Sequence, residues 1–378
     1  MYFSRFNYVS DYEKDGQRLL MNFLSQSCDI VDEESALHFS QKKDVSAEER
    51  EYALQRGYLF QDEAEELTLL QKLYHYELQT RRVLSVVPLD IFDGKGLREV
   101  LKKMKDRNSQ CILFTEYPLD NPLPFDHFDN SFYPHIITIY ENLRAFEPLL
   151  MKNMVSKVSL LLPLSDSVPF SEEVESCVDT LVESGTPVEI IARVQESDVE
   201  LLKPLMNYFI YKGWPFLENF TCSLEPNPNE GCLFGRWYGT ENLVRRIFRE
   251  YTVYPQTEFC SIQNWVGVNP IYSLIWTGKP SRPSFHFCEA SKGLIVVRGC
   301  NEVPCPYLDS GKFEAENPSD CQVCTFALTC GGGCRLKSTQ KAERCPPVKE
   351  LIEASLEYYF DEFLQRIIFG EQYHGGIQ

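Results

Sequence analysis

The sequence predicts an α/β protein in three parts: a parallel sheet or partial (β/α) barrel with its helices outside, a small α+β unit before it, and a cysteine-rich domain after it. Two observations point there. Strand-like and helix-like segments alternate strictly over roughly 170 residues from about residue 82. Beyond them, "CQVCTFALTCGGGC" sets Cys321, Cys324, Cys330 and Cys334 in the spacing C-x2-C-x5-C-x3-C. The chain has 378 residues, 43% of them hydrophobic, enough for one large core and smaller appendages. The expected parts are 1–80, 81–255 and 256–378.

In the first part, "YALQRGYLF" and "EELTLLQKLYHYELQTRR" carry apolar residues at helical spacing. Ser46, with Glu49 three residues on, supplies a helix start. In the second part, "RVLSVVPLDIF", "CILFTEYPL", "VSKVSLLLPL", "PVEIIARVQ" and "NFTCSLEP" are strand-like. Between and after them, "GLREVLKKMKDR", "SFYPHIITIYENLRAFEPLLMKN", "SEEVESCVDTLVESG" (ending at Gly185), "DVELLKPLMNYFIYKGW" and "GTENLVRRIFREY" are expected as helices. In the third part, "GLIVVRGCNEVPC" predicts a hairpin turning at Gly299 to Asn301. A closing helix, "PVKELIEASLEYYFDEFLQRIIF", begins at Pro347.

The net charge of −18 disfavours nucleic acid and anionic lipid as partners, because phosphate binding needs a basic surface. Solubility explains most of that acidity; a basic leader peptide or partner subunit is the alternative. The first residues form no signal peptide, and no window approaches twenty uninterrupted apolar residues. A cytoplasmic location without a membrane span is expected.

Fourteen cysteines are many for a reducing compartment. Cys28, Cys111, Cys177, Cys222, Cys232 and Cys260 are scattered and suit small buried hydrophobes; Cys222 and Cys232 flank one loop and could face each other. The other eight fall between Cys288 and Cys345. Disulfides are disfavoured by compartment, and chance does not account for the density. Structural zinc and iron–sulfur clusters both take four thiolates across short loops. Gly331, Gly332 and Gly333, between Cys330 and Cys334, favour a cluster, because glycine lets backbone N–H groups approach its sulfides.

Cys288, Cys305, C-x2-C-x5-C-x3-C and Cys345 together resemble the seven-cysteine SPASM domain of radical SAM peptide maturases and sulfatase-maturing enzymes, over residues 282–347. The resemblance implies two auxiliary [4Fe–4S] clusters. Cys321, Cys324, Cys330 and Cys345 would hold one. Cys288, Cys305 and Cys334 would hold the other, whose fourth site is expected open or non-cysteine. Cys300, at the hairpin tip, stands on the order of 13–17 Å along the strand from Cys305, too far for a shared metal. His286, between Phe285 and Phe287, suits packing, and Cys260 remains a candidate.

The α/β part similarly resembles the radical SAM partial barrel. A catalytic member carries C-x3-C-x2-C after the first strand; here that loop is "PLDIFDGKGL", and the motif occurs nowhere in the chain. The family's GGEP-like turn is matched by "FTEYPL", with both glycines replaced and Tyr117 inserted. No SAM binding and no catalytic residue are therefore expected. Glu116, Asp90 and Asp93 either line the sheet's mouth or, more ordinarily, are solvated or helix-capping acids.

The resemblance implies a non-catalytic iron–sulfur partner or scaffold subunit in the modification of a ribosomal peptide. Such a subunit would bind the precursor peptide, an active radical SAM maturase, or both, and relay electrons. Residues 1–80 would be a peptide-recognition or interaction module. Two alternatives stay open: an enzyme using an open iron on a substrate thiolate, and a metal-stapled structural adaptor.

Overall fold

The computed structural model describes residues 1–43, 45–80, 84–91, 94–106, 110–119, 133–164, 171–226, 234, 236–286, 294–298, 301–305, 319–333 and 345–374. The chain opens with β1 (Tyr2–Phe3), β2 (Asn7–Val9), β3 (Gln17–Asn22) and β4 (Ser27–Asp32). There follow α1 (Glu33–Gln41), α2 (Ala47–Arg56), β5 (Leu59–Phe60) and α3 (Glu63–Thr80). β2, β3 and β4 form an antiparallel sheet, and β1 pairs antiparallel with β5. At the start of α2, the Ser46 hydroxyl accepts from the Glu49 N–H and the Glu49 carboxylate accepts from the Ser46 N–H, the reciprocal cap expected from sequence.

One face of the small sheet packs on α1 and α2 through Leu20, Phe39, Ala53 and Tyr58. Its other face, with Tyr8, Met21 and Phe23, joins the main core of the protein.

The large sheet begins with β6 (Leu84–Pro88), α4 (Gly94–Asp106), β7 (Gln110–Thr115) and β8 (His135–Ile139). After a 3-10 stretch (Tyr140–Phe146) come α5 (Glu147–Leu150), β9 (Lys157–Pro163), α6 (Glu172–Glu183) and β10 (Val188–Val194). α7 (Leu202–Lys212), β11 (Phe220–Pro226), α8 (Glu241–Val253), β12 (Cys260–Ser261) and α9 (Val268–Thr277) complete the alternation. The C-terminal part adds β13 (Ile295–Arg298), β14 (Asn301–Val303), α10 (Ala327–Cys330) and α11 (Val348–His374).

Among the described residues the large sheet has nine strands, in the order β12-β11-β10-β9-β8-β7-β6-β13-β14. Every neighbouring pair is parallel except β13 with β14. Seven strands lie in strict sequence order, and α4, α6, α7 and α8 all pack on the same face. Helices confined to one face of a sequentially ordered parallel sheet are the pattern of a partial barrel. The hairpin of β13 and β14 extends this sheet beside β6.

One segment differs from expectation. "SFYPHIITIYENLRAFEPLLMKN" is not one helix: it holds β8, the 3-10 stretch and the short α5. His135–Ile139 is rich in β-branched residues, which favour a strand. β7 and β9 pair with its two edges in parallel register, while Ile136 packs into the main core on one face and Ile137 into an apolar belt on the other, so both faces are covered and its apolar run is continuous.

Gly267, with φ +84°, precedes α9 where a Cβ would lie 2.5 Å from Leu351 Cβ and 3.1 Å from the Val348 carbonyl of α11. Gly267→Ala is expected to destabilise the protein by about 3 kcal/mol, combining left-handed strain with overpacking. Gly278→Ala, equally left-handed but with open space around it, should cost about 1 kcal/mol. Urea denaturation of the two variants separates these contributions.

Candidate metal centre

The thiols expected to hold the second cluster come from two directions. Cys321 and Cys324 lie in a 3-10 turn and the residues after it, Cys330 ends α10, and Cys345 lies just before α11. Cys330 is buried, and burial pushes its thiol up to about 12; the Gly332 N–H, donating to Cys330 Sγ at 3.3 Å, opposes that. The charges of Cys324, Cys321 and Cys345 raise it further, so these three thiols are its electrostatic neighbours. Gly331, Gly332 and Gly333 all take left-handed backbone conformations (φ +67°, +90° and +74°), which favour glycine. Four thiols, a glycine run and an amide directed at sulfur fit a thiolate-bound cluster in their donor chemistry. Among the described residues no group of three or more His, Cys, Asp or Glu side chains is arranged to hold a metal ion.

Of the cysteines expected in the first set, Cys305 is buried just after β14; Cys288 and Cys334 lie outside the described residues, as do Cys300 and Cys232. His286 is buried, with its ring 6.1 Å from that of Tyr74. Cys260 pairs across β12 and β11 with Cys222 in parallel register. Both are buried, and burial holds the Cys222 thiol well above its ordinary value. Cys222 thus faces Cys260.

A wall built by the N-terminal unit adjoins the thiol-bearing loop. Phe326 sits against Tyr8 and Phe23, with ring centroids 5.3 and 5.8 Å apart. Arg5 Nη1 donates to the Gln322 carbonyl at 2.6 Å, inside the Cys321–Cys324 turn. On the other side, Arg236 donates to the Thr329 carbonyl, beside a cavity of about 200 Å³ also lined by Asn264 and Asn269.

The helix-free face of the large sheet is layered. Near the strands' N-terminal ends, Glu189 accepts from Ser159 (2.7 Å) and Ser223 (2.9 Å) and pairs with Lys157 (2.7 Å). Burial pushes its carboxyl up, but Lys157 and the two hydroxyls outweigh that and hold it below the ordinary glutamate range. His135 bonds Ser159 Oγ at 2.9 Å; burial, aided by Lys157, pulls its imidazole down to about 4. An apolar belt of Val86, Ile112, Ile137, Leu161 and Ile191 follows.

At the strands' C-terminal ends, where α/β folds place their sites, Arg193 of β10 joins two carboxylates. It pairs with Glu116, just beyond β7, and donates through Nε to Glu225 of β11 at 3.0 Å. Glu116 is therefore neither solvated nor a helix cap. Asp90 is exposed, and Asp93 lies outside the described residues. Sequence reading missed Arg193 and Glu225, yet a signal exists: an arginine in the apolar strand "PVEIIARVQ" and a glutamate at the same level of "NFTCSLEP".

No protein-family model matches the chain, and no curated protein does either. Solved structures similar to it include two of one enzyme. Native anSMEcpe with bound AdoMet and a Cp18Cys peptide is 13% identical, with 75% of this chain and 98% of that chain covered and a TM-score of 0.47. Hexahistidine-tagged anSMEcpe with bound AdoMet is also 13% identical, with coverages of 78% and 88% and a TM-score of 0.41. Among the described residues no helix is long and apolar enough to cross a membrane.

Arg193→Met strands Glu225 without its counter-charge. The expected loss is about 3 kcal/mol at neutral pH, at the low end for a buried pair because the guanidinium keeps some contact with water. Burial holds the Glu225 carboxyl above its ordinary value and Arg193 partly offsets this, so the substitution moves it higher still. A group raised in the folded state favours folding below its pKa and loses that contribution as pH rises through it. The deficit of Arg193→Met against wild type should therefore shrink as pH falls from 7 to 5, measured by chemical denaturation at each pH.

Proposed function

We propose that this chain is a non-catalytic iron–sulfur partner or scaffold subunit in the modification of a ribosomal peptide. Cys321, Cys324, Cys330 and Cys345 would hold one [4Fe–4S] cluster. Cys288, Cys305 and Cys334 would hold a second, with its fourth site open or filled by something other than cysteine. Clusters so held would supply one-electron transfer. The observation that carries this reading is the buried Cys330 thiol, which accepts the Gly332 N–H at 3.3 Å at the start of a left-handed glycine run, in the loop that also carries Cys321 and Cys324.

The mouth of the sheet supports the non-catalytic half. The loop after β6 has no cysteine. At the end of β7, the side chains of Phe114 and Thr115 and an ion-paired Glu116 stand where a SAM-binding turn needs bare backbone. These residues do not fit SAM.

Peptide recognition is assigned to residues 1–80. Among the described residues β4 pairs only with β3, which leaves its outer edge to accept an extended strand through main-chain hydrogen bonds. An active maturase carrying C-x3-C-x2-C would be the catalytic partner.

The test is anaerobic purification, with iron and acid-labile sulfide quantified and EPR recorded after dithionite reduction. About eight iron and eight sulfide per chain, with spectra unmoved by SAM, are expected. Zinc without iron would remove the redox role, and a spectral shift on adding SAM would overturn the non-catalytic reading. Cys324→Ser should lower the iron content by about four per chain, with the other cluster's EPR signal retained.

A further inference from the structure

The N-terminal unit reaches the thiol-bearing segment through one buried charge. Glu66, on the second turn of α3, is fully buried. It accepts from the Ser4 hydroxyl at 2.6 Å and the Arg5 N–H at 3.1 Å, and its second oxygen lies 3.2 Å from Arg5 Nε. Held in this way, Arg5 extends Nη1 to the Gln322 carbonyl, 317 residues along the chain and between Cys321 and Cys324. Arg5 Nη2 is buried with no hydrogen-bond partner among the described residues. A buried guanidinium donor left unmatched is costly, and an anion beside it removes that penalty.

The far end of α3 makes a second clamp. Glu77 accepts from the Phe285 N–H at 2.9 Å and the Ser284 hydroxyl at 3.3 Å, and the Ser284 N–H donates to the Leu328 carbonyl at 2.8 Å. One helix therefore braces both the C-x2-C turn and the segment packed against α10.

We propose that Arg5, anchored by Glu66, is a positioning residue of the thiolate centre: it fixes the Cys321–Cys324 turn and sets a permanent positive charge against that turn's backbone. This rests on the iron–sulfur reading above. Cluster potentials follow local charge and hydrogen bonding, and groups outside the ligand set orient the ligands. A cation there stabilises the reduced, more negative state. The N-terminal unit is then part of the centre.

The test compares wild type with Arg5→Gln, Arg5→Lys, Glu66→Gln and, as a control on the same unit, Arg18→Gln. Each is purified anaerobically, and two quantities are read: the midpoint potential of the dithionite-reducible EPR signal, and the iodoacetamide labelling rate of each cysteine by mass spectrometry. Arg5→Gln should lower the equilibrium constant for one-electron reduction about tenfold, a shift of about 59 mV downward. It should also speed labelling of Cys321 and Cys324 about tenfold relative to Cys177. Arg5→Lys should restore the potential and leave labelling fast, because a lysine keeps the charge but cannot span Glu66 and Gln322 together. Arg18→Gln should match wild type.

If Arg5→Gln fails to fold, Glu66→Gln, which frees Arg5 from its anchor, should still speed labelling at the same two cysteines. Wild-type potential and labelling in Arg5→Gln, or in Glu66→Gln where it replaces it, overturn the proposal. If wild type itself carries no iron, the iron–sulfur reading fails, and the labelling rates alone decide the positioning role.

Discussion

Phe326 packs against the stacked pair of Tyr8 and Phe23, and through it the N-terminal unit and the C-terminal part of the chain hold each other in place. Each edge-on or tilted aromatic contact adds about 0.5–1.5 kcal/mol beyond the area it covers. The clasp continues along α11. Glu353 accepts from the Tyr8 hydroxyl and, at 2.7 Å each, from the Asp11 and Tyr12 N–H groups; Tyr12 also packs on Phe360 at 5.2 Å. Ion pairs of Lys349 with Asp11 and Lys14 with Asp361 lie at its rim, where water screens them. Without this clasp the thiol-bearing loop would lose one wall and the small sheet one covered face.

The large sheet solves a different problem: how to keep charges on the face that has no helices. Two networks, around Glu189 and around Arg193, stand at opposite strand ends with an apolar belt between them. The belt excludes water from the middle of the face, so each network must satisfy itself. The lower one does so with a lysine, two hydroxyls and a neutral histidine; the upper one places one guanidinium between two carboxylates.

Much of this architecture is legible in the sequence because periodicity reports burial. The alternating segments from residue 82, the Ser46 cap and the antiparallel pair β13 and β14 all follow from local pattern. β8 escapes that logic. A strand covered on both faces has no polar alternation, and its apolar run joins that of the following 3-10 stretch into something with helical spacing. The cysteine spacing names a set of thiols, and the glycine run after Cys330, left-handed at all three positions with the Gly332 N–H on Cys330 Sγ, is legible in the same stretch. The contacts that depend on strand register or on distant segments are not readable from spacing: Cys222 against Cys260, Arg193 against Glu225, Arg5 against Gln322.

The clasp also dictates an order of assembly. Tyr8 and Glu353 are 345 residues apart, so the first residues leave the ribosome long before α11 exists. At about 5–20 residues per second, that interval is roughly 17–70 s. Throughout it, Tyr8 and Tyr12 lack the contacts that α11 gives them, although the strands of the small sheet are complete. Translation speed and chaperone capture during that interval thus bear on the yield of folded protein, with the large sheet forming before the unit that precedes it is finished.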